Sequence, residues 1–221
     1  ISTGVYLFLI LSALFTLAPL LLALINSFKS NGEILTNVLS LPKQINFDNY
    51  VRSFEKMHYL RSFGNTAFLA VGGVGLIVLF SALAGWKLCR TKTKLSRFLL
   101  SLFIFSMLIP FSSIMIPLYK VMLALDIKNS LFGFCFVYAG LGVSMAIFLY
   151  HGFVKGIPRE LEEAAAIDGC SPLQTFFRIV FPMLKPVTAT ICITNVLWIW
   201  NDFLLPLIVL SDNKKYTLLL S

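Results

Sequence analysis

The sequence is poor in charged residues. Only 13% of its 221 residues are charged, whereas 58% are hydrophobic and the mean hydropathy is +0.86. A soluble domain carries about 25% charged residues. We therefore predict an all-α, polytopic membrane protein rather than a soluble domain with one core. The net charge of +8 does not indicate a nucleic-acid partner, because excess Lys and Arg near a membrane mark its cytoplasmic face.

The sequence also lacks the cysteine patterns of a metal site or a disulfide. None of its four cysteines belongs to a C-x-x-C pair or lies near a histidine pattern. We therefore predict neither a metal site nor a disulfide. The cysteines are Cys89, Cys135, Cys170 and Cys192.

A nucleotide-binding loop is absent as well. The sequence has no G-x-x-x-x-G-K-[ST] motif, and Gly72, Gly73 and Gly75 lie in an apolar run with no Lys-Ser or Lys-Thr after them. We interpret these glycines as sites of close helix packing. The chain itself is expected to bind no nucleotide cofactor and to hydrolyse nothing.

A serine nucleophile is equally poorly supported. Ser144 lies in a Gly-Val-Ser-Met-Ala segment, but the two histidines, His58 and His151, do not share its depth in the predicted span. A nucleophile needs a base within hydrogen-bond reach. We predict a helix-packing role for Ser144 and no catalytic residue, which argues against an intramembrane enzyme.

Five apolar runs are long enough to cross about 30 Å of hydrocarbon at 1.5 Å per residue. The predicted spans are 3–27, 63–86, 98–123, 131–152 and 186–210. A sixth span is predicted to start near Tyr216, so we expect the natural chain to continue through that span and to have a short N-terminal tail. The polar segment 28–61 should hold one or two short surface helices, and lipid should surround the spans.

Two predicted spans contain features that weaken a helix. Pro110 and Pro117 lie in the third span and deprive the carbonyls of Ser106 and Ser113 of their usual donors. Such groups are tolerated in a membrane where protein, hydroxyls or a water-filled cavity satisfy them. We therefore predict kinks in this span.

The fifth span combines polar and aromatic residues with a proline at Pro206. Trp198 lies three residues before Asn201 and four before Asp202, so the three share one helix face. An aspartate this deep usually faces a cavity or a partner. Two interpretations stay open: the three residues line a transport path, or Asn201 and Asp202 hold a neighbouring helix or a bend.

The segment 157–182, which we call the elbow, cannot lie in a membrane. Pro158 suits a first helical turn, and the acidic residues and alanines that follow favour a helix. Gly169 is a helix stop, since glycine adopts the left-handed conformation easily. Ser171, with Pro172 after it and Gln174 three residues on, predicts a second capped helix.

The elbow carries the spaced pattern E-A-A-x3-G-x9-I-x-F-P from Glu163 to Pro182. This pattern resembles the EAA loop of ABC importer permeases, where leucine is usual at the position of Phe181. The segments "NFDNYVRSF" (46–54), "FGNTAFLA" (63–70) and "WNDFLLPL" (200–207) are similar to segments of the carbohydrate-uptake branch of that family. One departure is "GWKLCR" (85–90), where the family usually has A-Y-x-x-A-R, although Arg90 is kept.

The resemblance implies a type I ABC importer transmembrane fold and a function as the second permease subunit of a maltose- or oligosaccharide-type importer. The implied partners are another permease subunit in a heterodimer, an ATPase dimer that holds ATP and Mg²⁺, and an extracytoplasmic sugar-binding protein. The implied location is the inner or plasma membrane of a bacterium or archaeon. An ion-coupled secondary transporter is the alternative, but such folds usually show internal repeats and none is visible here.

The resemblance also assigns residues. The elbow is expected to dock on the ATPase, and the expected docking residues are Glu163, Ala164, Ala165, Asp168 and Gly169. It places the elbow on the same side of the membrane as the loop 87–97, whose density of Lys and Arg without any acid favours the cytoplasm.

Overall fold

The computed structural model describes residues 3–221, and every regular element in that range is helical. The chain divides into two compact units that meet in sequence between Tyr59 and Leu60. The first unit contains α1 (Thr3–Ser27), α2 (Asn31–Thr36) and α3 (Asp48–Lys56). Helix α1 coincides with the first predicted span, and α2 and α3 are the short helices expected in segment 28–61.

The start of α2 is fixed by a reciprocal capping box. The Ser30 hydroxyl accepts a hydrogen bond from the Glu33 N–H, and the Glu33 carboxylate accepts one from the Ser30 N–H. Two N–H groups that the helix leaves unpaired are thereby satisfied.

The second unit extends to Ser221. Its helices are α4 (Tyr59–Arg90), α5 (Lys94–Ser106), α6 (Phe111–Ala124), α7 (Leu131–Val154), α8 (Glu160–Ile167), α9 (Pro172–Thr175), α10 (Phe181–Met183), α11 (Lys185–Trp200) and α12 (Leu204–Val209). A π-helical stretch, Phe176–Val180, joins α9 to α10, and a 3-10 turn, Asn213–Lys215, follows α12.

Helices α4, α7 and α11 supply most of the core of the second unit. Tyr138 and Tyr150 of α7 are fully buried, and the Tyr150 hydroxyl hydrogen-bonds that of Thr188 on α11 at 2.9 Å. Helix α4 approaches α7 closely at Gly85, where an added Cβ would lie 2.7 Å from the Cβ of Tyr150. The packing role predicted for the glycines of α4 holds at Gly72, where an added Cβ would lie 2.8 Å from the Cys135 sulfur, but not at Gly75, where it would meet no atom within 4 Å.

The span predicted over 98–123 is not one helix. Helices α5 and α6 meet at an angle of 106°, and the chain is extended at Pro110, with ψ of 141°. The Ser106 carbonyl instead accepts a hydrogen bond from the Ile109 N–H at 3.3 Å. Pro117, in contrast, lies inside α6, which continues through it. The kink predicted at Pro110 is thus a full break, and a local turn satisfies the carbonyl that the proline leaves without a donor.

The span predicted over 186–210 is interrupted as well. Helix α11 ends at Trp200, and α12 begins at Leu204. Pro206 has no N–H to donate to the Asp202 carbonyl. The Asp202 carboxylate caps the new helix instead, accepting a hydrogen bond from the Leu205 N–H at 3.4 Å. The interruption lies in the part of the predicted span where the sequence indicated a weakened helix.

Within residues 3–221, three helices are long and apolar enough to cross a membrane: α1, α4 and α7. The number rises to five if each of two bent pairs is one span, the pairs being α5 with α6, and residues 172–183 with α11. Residues 217–221 form one turn, in which the Ser221 N–H donates to the Thr217 carbonyl. The sixth span predicted near Tyr216 stays a prediction.

The loop after α4 and the elbow should label from the same side of the membrane. In a chain whose four cysteines are replaced by alanine, we expect Lys92→Cys and Ser171→Cys to react with an impermeant thiol reagent from the cytoplasmic side. Asn213→Cys should react from the opposite side. The carbonyl of the neighbouring Lys214 accepts a hydrogen bond from the Asn65 side chain in the second turn of α4, at the other end of that helix from the loop 87–97. Labelling of Lys92→Cys and Ser171→Cys from opposite sides would contradict this topology.

Candidate docking elbow and intramembrane cavity

The elbow consists of two short helices joined by a glycine turn. Helix α8 has an acidic first turn and begins two residues after Pro158, so the proline lies just outside the helix rather than in its first turn. Gly169 has φ of +82°, and the Cys170 N–H donates to the Ala165 carbonyl at 2.9 Å. This is the left-handed helix end that the glycine predicted.

The second elbow helix starts with the predicted capping box. The Ser171 N–H donates to the Gln174 side chain at 2.8 Å, and the Gln174 N–H donates to the Ser171 hydroxyl at 3.4 Å. The helix then widens into the π-helical stretch, which the sequence did not indicate. Phe181, at the position where leucine is usual, packs its ring 5.8 Å from that of Phe176.

Four of the five expected docking residues are exposed: Glu163, Ala164, Asp168 and Gly169. Ala165 is not, because only 4% of it is accessible. It therefore faces the inside of this chain, and its docking role stays a prediction. Ile167 is 87% exposed. It was not among the expected docking residues, although its position three residues after Ala164 places it on the same helix face.

The elbow bears further exposed apolar side chains. Leu161, Leu173 and Phe177 are 41%, 59% and 48% exposed. Together with Ile167 they are exposed apolar side chains on a segment predicted to lie outside the membrane, and such side chains offer area that a partner can bury.

The elbow is also fixed to the last turn of α4. The Arg90 Nε donates to one Glu162 carboxylate oxygen at 2.7 Å, and the Trp86 indole N–H donates to the other at 2.9 Å. A second Arg90 nitrogen donates to the Ile157 carbonyl at 2.9 Å. The loop that follows α4 therefore lies at the same end of the helices as the elbow, as predicted.

The two helix breaks line one cavity of about 370 Å³. The first break contributes Ser106, Met107, Ile109 and Phe111 to the lining, and the second contributes Trp198, Asp202, Leu204 and Leu205. Irregular backbone at membrane depth is tolerated where it lines a cavity or is buried in protein. The breaks therefore belong to a single feature of the fold.

Asp202 is held at the cavity by two partners. The Tyr138 hydroxyl donates to one of its carboxylate oxygens at 2.9 Å, and the other oxygen caps α12. The Tyr138 ring meets the Trp198 ring edge to face, with centroids 5.5 Å apart. Asp202 thus makes contacts that hold the bend, as one of the two interpretations of the sequence expected, and it also lines the cavity.

Asn201 behaves differently from its two neighbours. Its side-chain amide donates to the carbonyl of Leu197 one turn back at 2.8 Å, and it lies outside the lining of the cavity. Trp198 and Asp202 therefore line the cavity together, as predicted for a common face, but Asn201 does not.

Ser144 joins two helices. Its hydroxyl hydrogen-bonds that of Ser106 at 2.7 Å, next to the first break. This is the helix-packing role predicted for it. Among residues 3–221, no group of three or more His, Cys, Asp or Glu side chains is placed to hold a metal ion.

Residues 77–220 match the family described as "Binding-protein-dependent transport system inner membrane component". The chain belongs to this family. This permease is 40% identical over 209 residues to the "Probable starch degradation products transport system permease protein AmyC" of Thermoanaerobacterium thermosulfurigenes, an alignment that covers 95% of this chain and 76% of AmyC. It is 37% identical to the "Melibiose/raffinose/stachyose import permease protein MelC" of Bacillus subtilis, over 90% of this chain and 72% of MelC.

The fold of the permease is similar to that of a solved bacterial ABC transporter "involved in the import of the acidic polysaccharide alginate". The TM-score is 0.83 at 25% sequence identity, and the match covers 99% of this chain and 79% of the other. The expected multi-pass, all-α importer fold is thereby confirmed. Membership in a binding-protein-dependent family also favours an importer over the ion-coupled secondary transporter that was the alternative.

Proposed function

We propose that this permease is one subunit of an ATP-driven importer of oligosaccharides in a bacterial or archaeal plasma membrane. The partners are another permease subunit, an ATPase dimer that binds ATP and Mg²⁺, and an extracytoplasmic sugar-binding protein. The names of AmyC and MelC, proteins aligned over most of this chain, support oligosaccharides as the substrate class. The permease itself holds no cofactor and moves its substrate without chemical change.

The observation that carries the proposal is the exposed face of α8. An apolar side chain, Ile167, projects beside the small Ala164 and the exposed carboxylate of Glu163. A small residue allows close approach of a partner, an apolar side chain offers area to bury, and a carboxylate suits a basic partner. This combination fits a cleft on the ATPase, and Asp168 and Gly169 lie exposed at the end of the same helix.

The cavity between the helix breaks is proposed to belong to the sugar path. Its volume of about 370 Å³ lies in the range of small-molecule sites, about 300–1,000 Å³. Trp198 offers an aromatic face and Asp202 offers hydroxyl acceptors, which suit the apolar faces and hydroxyl groups of a sugar. Asn201 is kept as a proposed path residue because it is exposed and adjacent in sequence to Asp202.

Uptake over a panel of sugars tests this proposal. In the reconstituted complex we expect Trp198→Ala to lower the uptake of a preferred oligosaccharide by up to roughly tenfold, since an aromatic contact is worth about 0.5–1.5 kcal/mol. The ratio of rates between a short and a long sugar should change, and complex yield should hold. Asn201→Ala is the matched variant, with a smaller expected effect because its amide is bonded to its own helix.

Two outcomes would count against the sugar path. A uniform loss over all sugars that tracks complex yield would assign Trp198 to helix packing. Unchanged rates and ratios in both variants would place the path elsewhere.

A further inference from the structure

One largely buried carboxylate joins the elbow to the end of α4. Both oxygens of Glu162 are used, one by the Arg90 guanidinium at 2.7 Å and one by the Trp86 indole at 2.9 Å. The Arg90 and Glu162 side chains are only 17% and 13% exposed. We call Trp86, Arg90 and Glu162 the latch. Trp86 and Arg90 are four residues apart on α4, so they present their donors from one helix face.

The latch is distinct from the docking surface. Glu163, the first residue of the E-A-A pattern, has a side chain that is 65% exposed. Glu162, one residue earlier, points into this chain. A buried carboxylate is costly unless it is fully paired, and charge-assisted bonds of this kind fix geometry strictly. The two neighbouring glutamates therefore have different roles: Glu163 faces outward, and Glu162 holds α8 to α4.

The end of α4 contacts the elbow at three places. Arg90 also holds the Ile157 carbonyl in the link between α7 and α8. The Trp86 ring lies 5.2 Å from that of Phe176 in the second elbow helix. A displacement of α8 is therefore passed to α4 through hydrogen bonds and to the second elbow helix through ring packing.

Helix α4 continues without a break from the latch to the region of the cavity. Its 32 residues span about 48 Å at 1.5 Å per residue. Near its other end, Phe63 meets the Trp200 ring with centroids 5.4 Å apart, where α11 ends. In between, an added Cβ at Gly73 would lie 3.1 Å from Ile199. Helix α4 thus contacts the residues that precede the break at 201–203.

We propose that the latch makes α8 and α4 move as one body, so that motion of the ATPase at the elbow is delivered to the break beside the cavity. The proposal rests on the proposed function, since it needs an ATPase at α8. Trp86, Arg90 and Glu162 are positioning residues, because they act through the helices they join. Packed, rigid elements of this kind carry coupling between distant sites.

The test compares Glu162→Ala with Glu160→Ala in the purified, reconstituted complex. Both replace a first-turn glutamate of α8 with the best helix former, but the Glu160 side chain is exposed. We expect Glu162→Ala to keep the ATPase bound and hydrolysing ATP, while sugar transported per ATP falls about 5-fold or more, the range of coupling between sites. Glu160→Ala should match the wild-type ratio. Equal ratios in the two variants would overturn the latch.

Trp86→Phe keeps the proposal testable if Glu162→Ala assembles poorly. Phenylalanine retains an aromatic ring against Phe176 and loses only the indole N–H, so yield should hold and the transport ratio should fall by a smaller factor. In a Trp86→Phe/Glu162→Ala double variant, the loss should be no larger than in Glu162→Ala alone, because Trp86→Phe removes a hydrogen bond that Glu162→Ala has already removed. If Trp86→Phe transports normally and Glu162→Ala lowers only the yield of the complex, the latch is a folding contact and does not couple the helices.

Hydrogen exchange separates the latch from the proposed function. Backbone amides of α8 should exchange faster in Glu162→Ala than in Glu160→Ala, whatever the complex transports. If the wild-type complex takes up no sugar but this difference is seen, the proposed function fails and the latch remains as a structural device. Equal exchange in both variants would refute the latch itself.

Discussion

The Gly169→Pro permease is expected to reach the membrane in normal amount and to support at least tenfold less sugar uptake than the wild type. Gly169 has φ of +82°, whereas proline is fixed near −65°. Proline would also remove the N–H that donates to the Ala166 carbonyl. Strained backbone of this kind costs about 1–3 kcal/mol, and about 1.4 kcal/mol is a factor of ten in population. Helix α8 would then rarely hold the geometry that we propose docks on the ATPase.

The matched variant is Gly169→Asn. Asparagine tolerates a positive φ better than other residues with a side chain, and a Cβ at this position meets no atom within 4 Å. Uptake in Gly169→Asn should therefore stay near that of the wild type, with Gly169→Ala between the two. Equal uptake in the proline and asparagine variants would show that the left-handed turn has no part in coupling.

Glu163→Lys should remove most of the ATPase from the purified complex and leave the permease folded. The Glu163 side chain is 65% exposed, and its contact with Arg159 at 3.4 Å is an exposed ion pair. Such pairs contribute about 0–1 kcal/mol to stability. A charge pair that is buried at an interface costs about 2–5 kcal/mol when one partner is lost. The free energy of docking should therefore change far more than the free energy of unfolding of the permease.

The control is Glu55→Lys, a charge reversal at an exposed glutamate of α3. The ATPase should co-purify with this variant as with the wild type, and thermal stability should be similar in both. Full ATPase recovery and normal uptake with Glu163→Lys would reject the docking role of this face. A loss of thermal stability in Glu163→Lys but not in Glu55→Lys would indicate a folding defect instead.

The elbow was predictable where local signals decide the structure. The stop at Gly169 and the capping box at Ser171 each need only a few neighbouring residues, and both occur as predicted. The burial of Ala165 was not predictable, because the face that α8 turns inward depends on its contacts with the rest of the chain. The bonds of Glu162 to Trp86 and Arg90 join residues more than 70 positions apart, which no local pattern reports.

The membrane helices show the same limit. Hydropathy located the apolar segments, but it does not distinguish a span from a bent pair. Pro110 and Pro117 carry the same local penalty, yet the chain breaks only at Pro110. The break is satisfied locally by the Ile109 N–H and lies beside a cavity to which a second break contributes. Where a proline breaks a helix therefore depends on packing that the sequence does not display.

Co-purification tests the central claim most directly. The permease, tagged and extracted from its native membrane, should bring with it a nucleotide-binding subunit and another permease. In vesicles, this complex should accumulate an oligosaccharide only when ATP is supplied on the elbow side and a sugar-loaded binding protein on the other. A permease that is isolated without an ATPase, and that accumulates substrate from an ion gradient alone, would contradict the account.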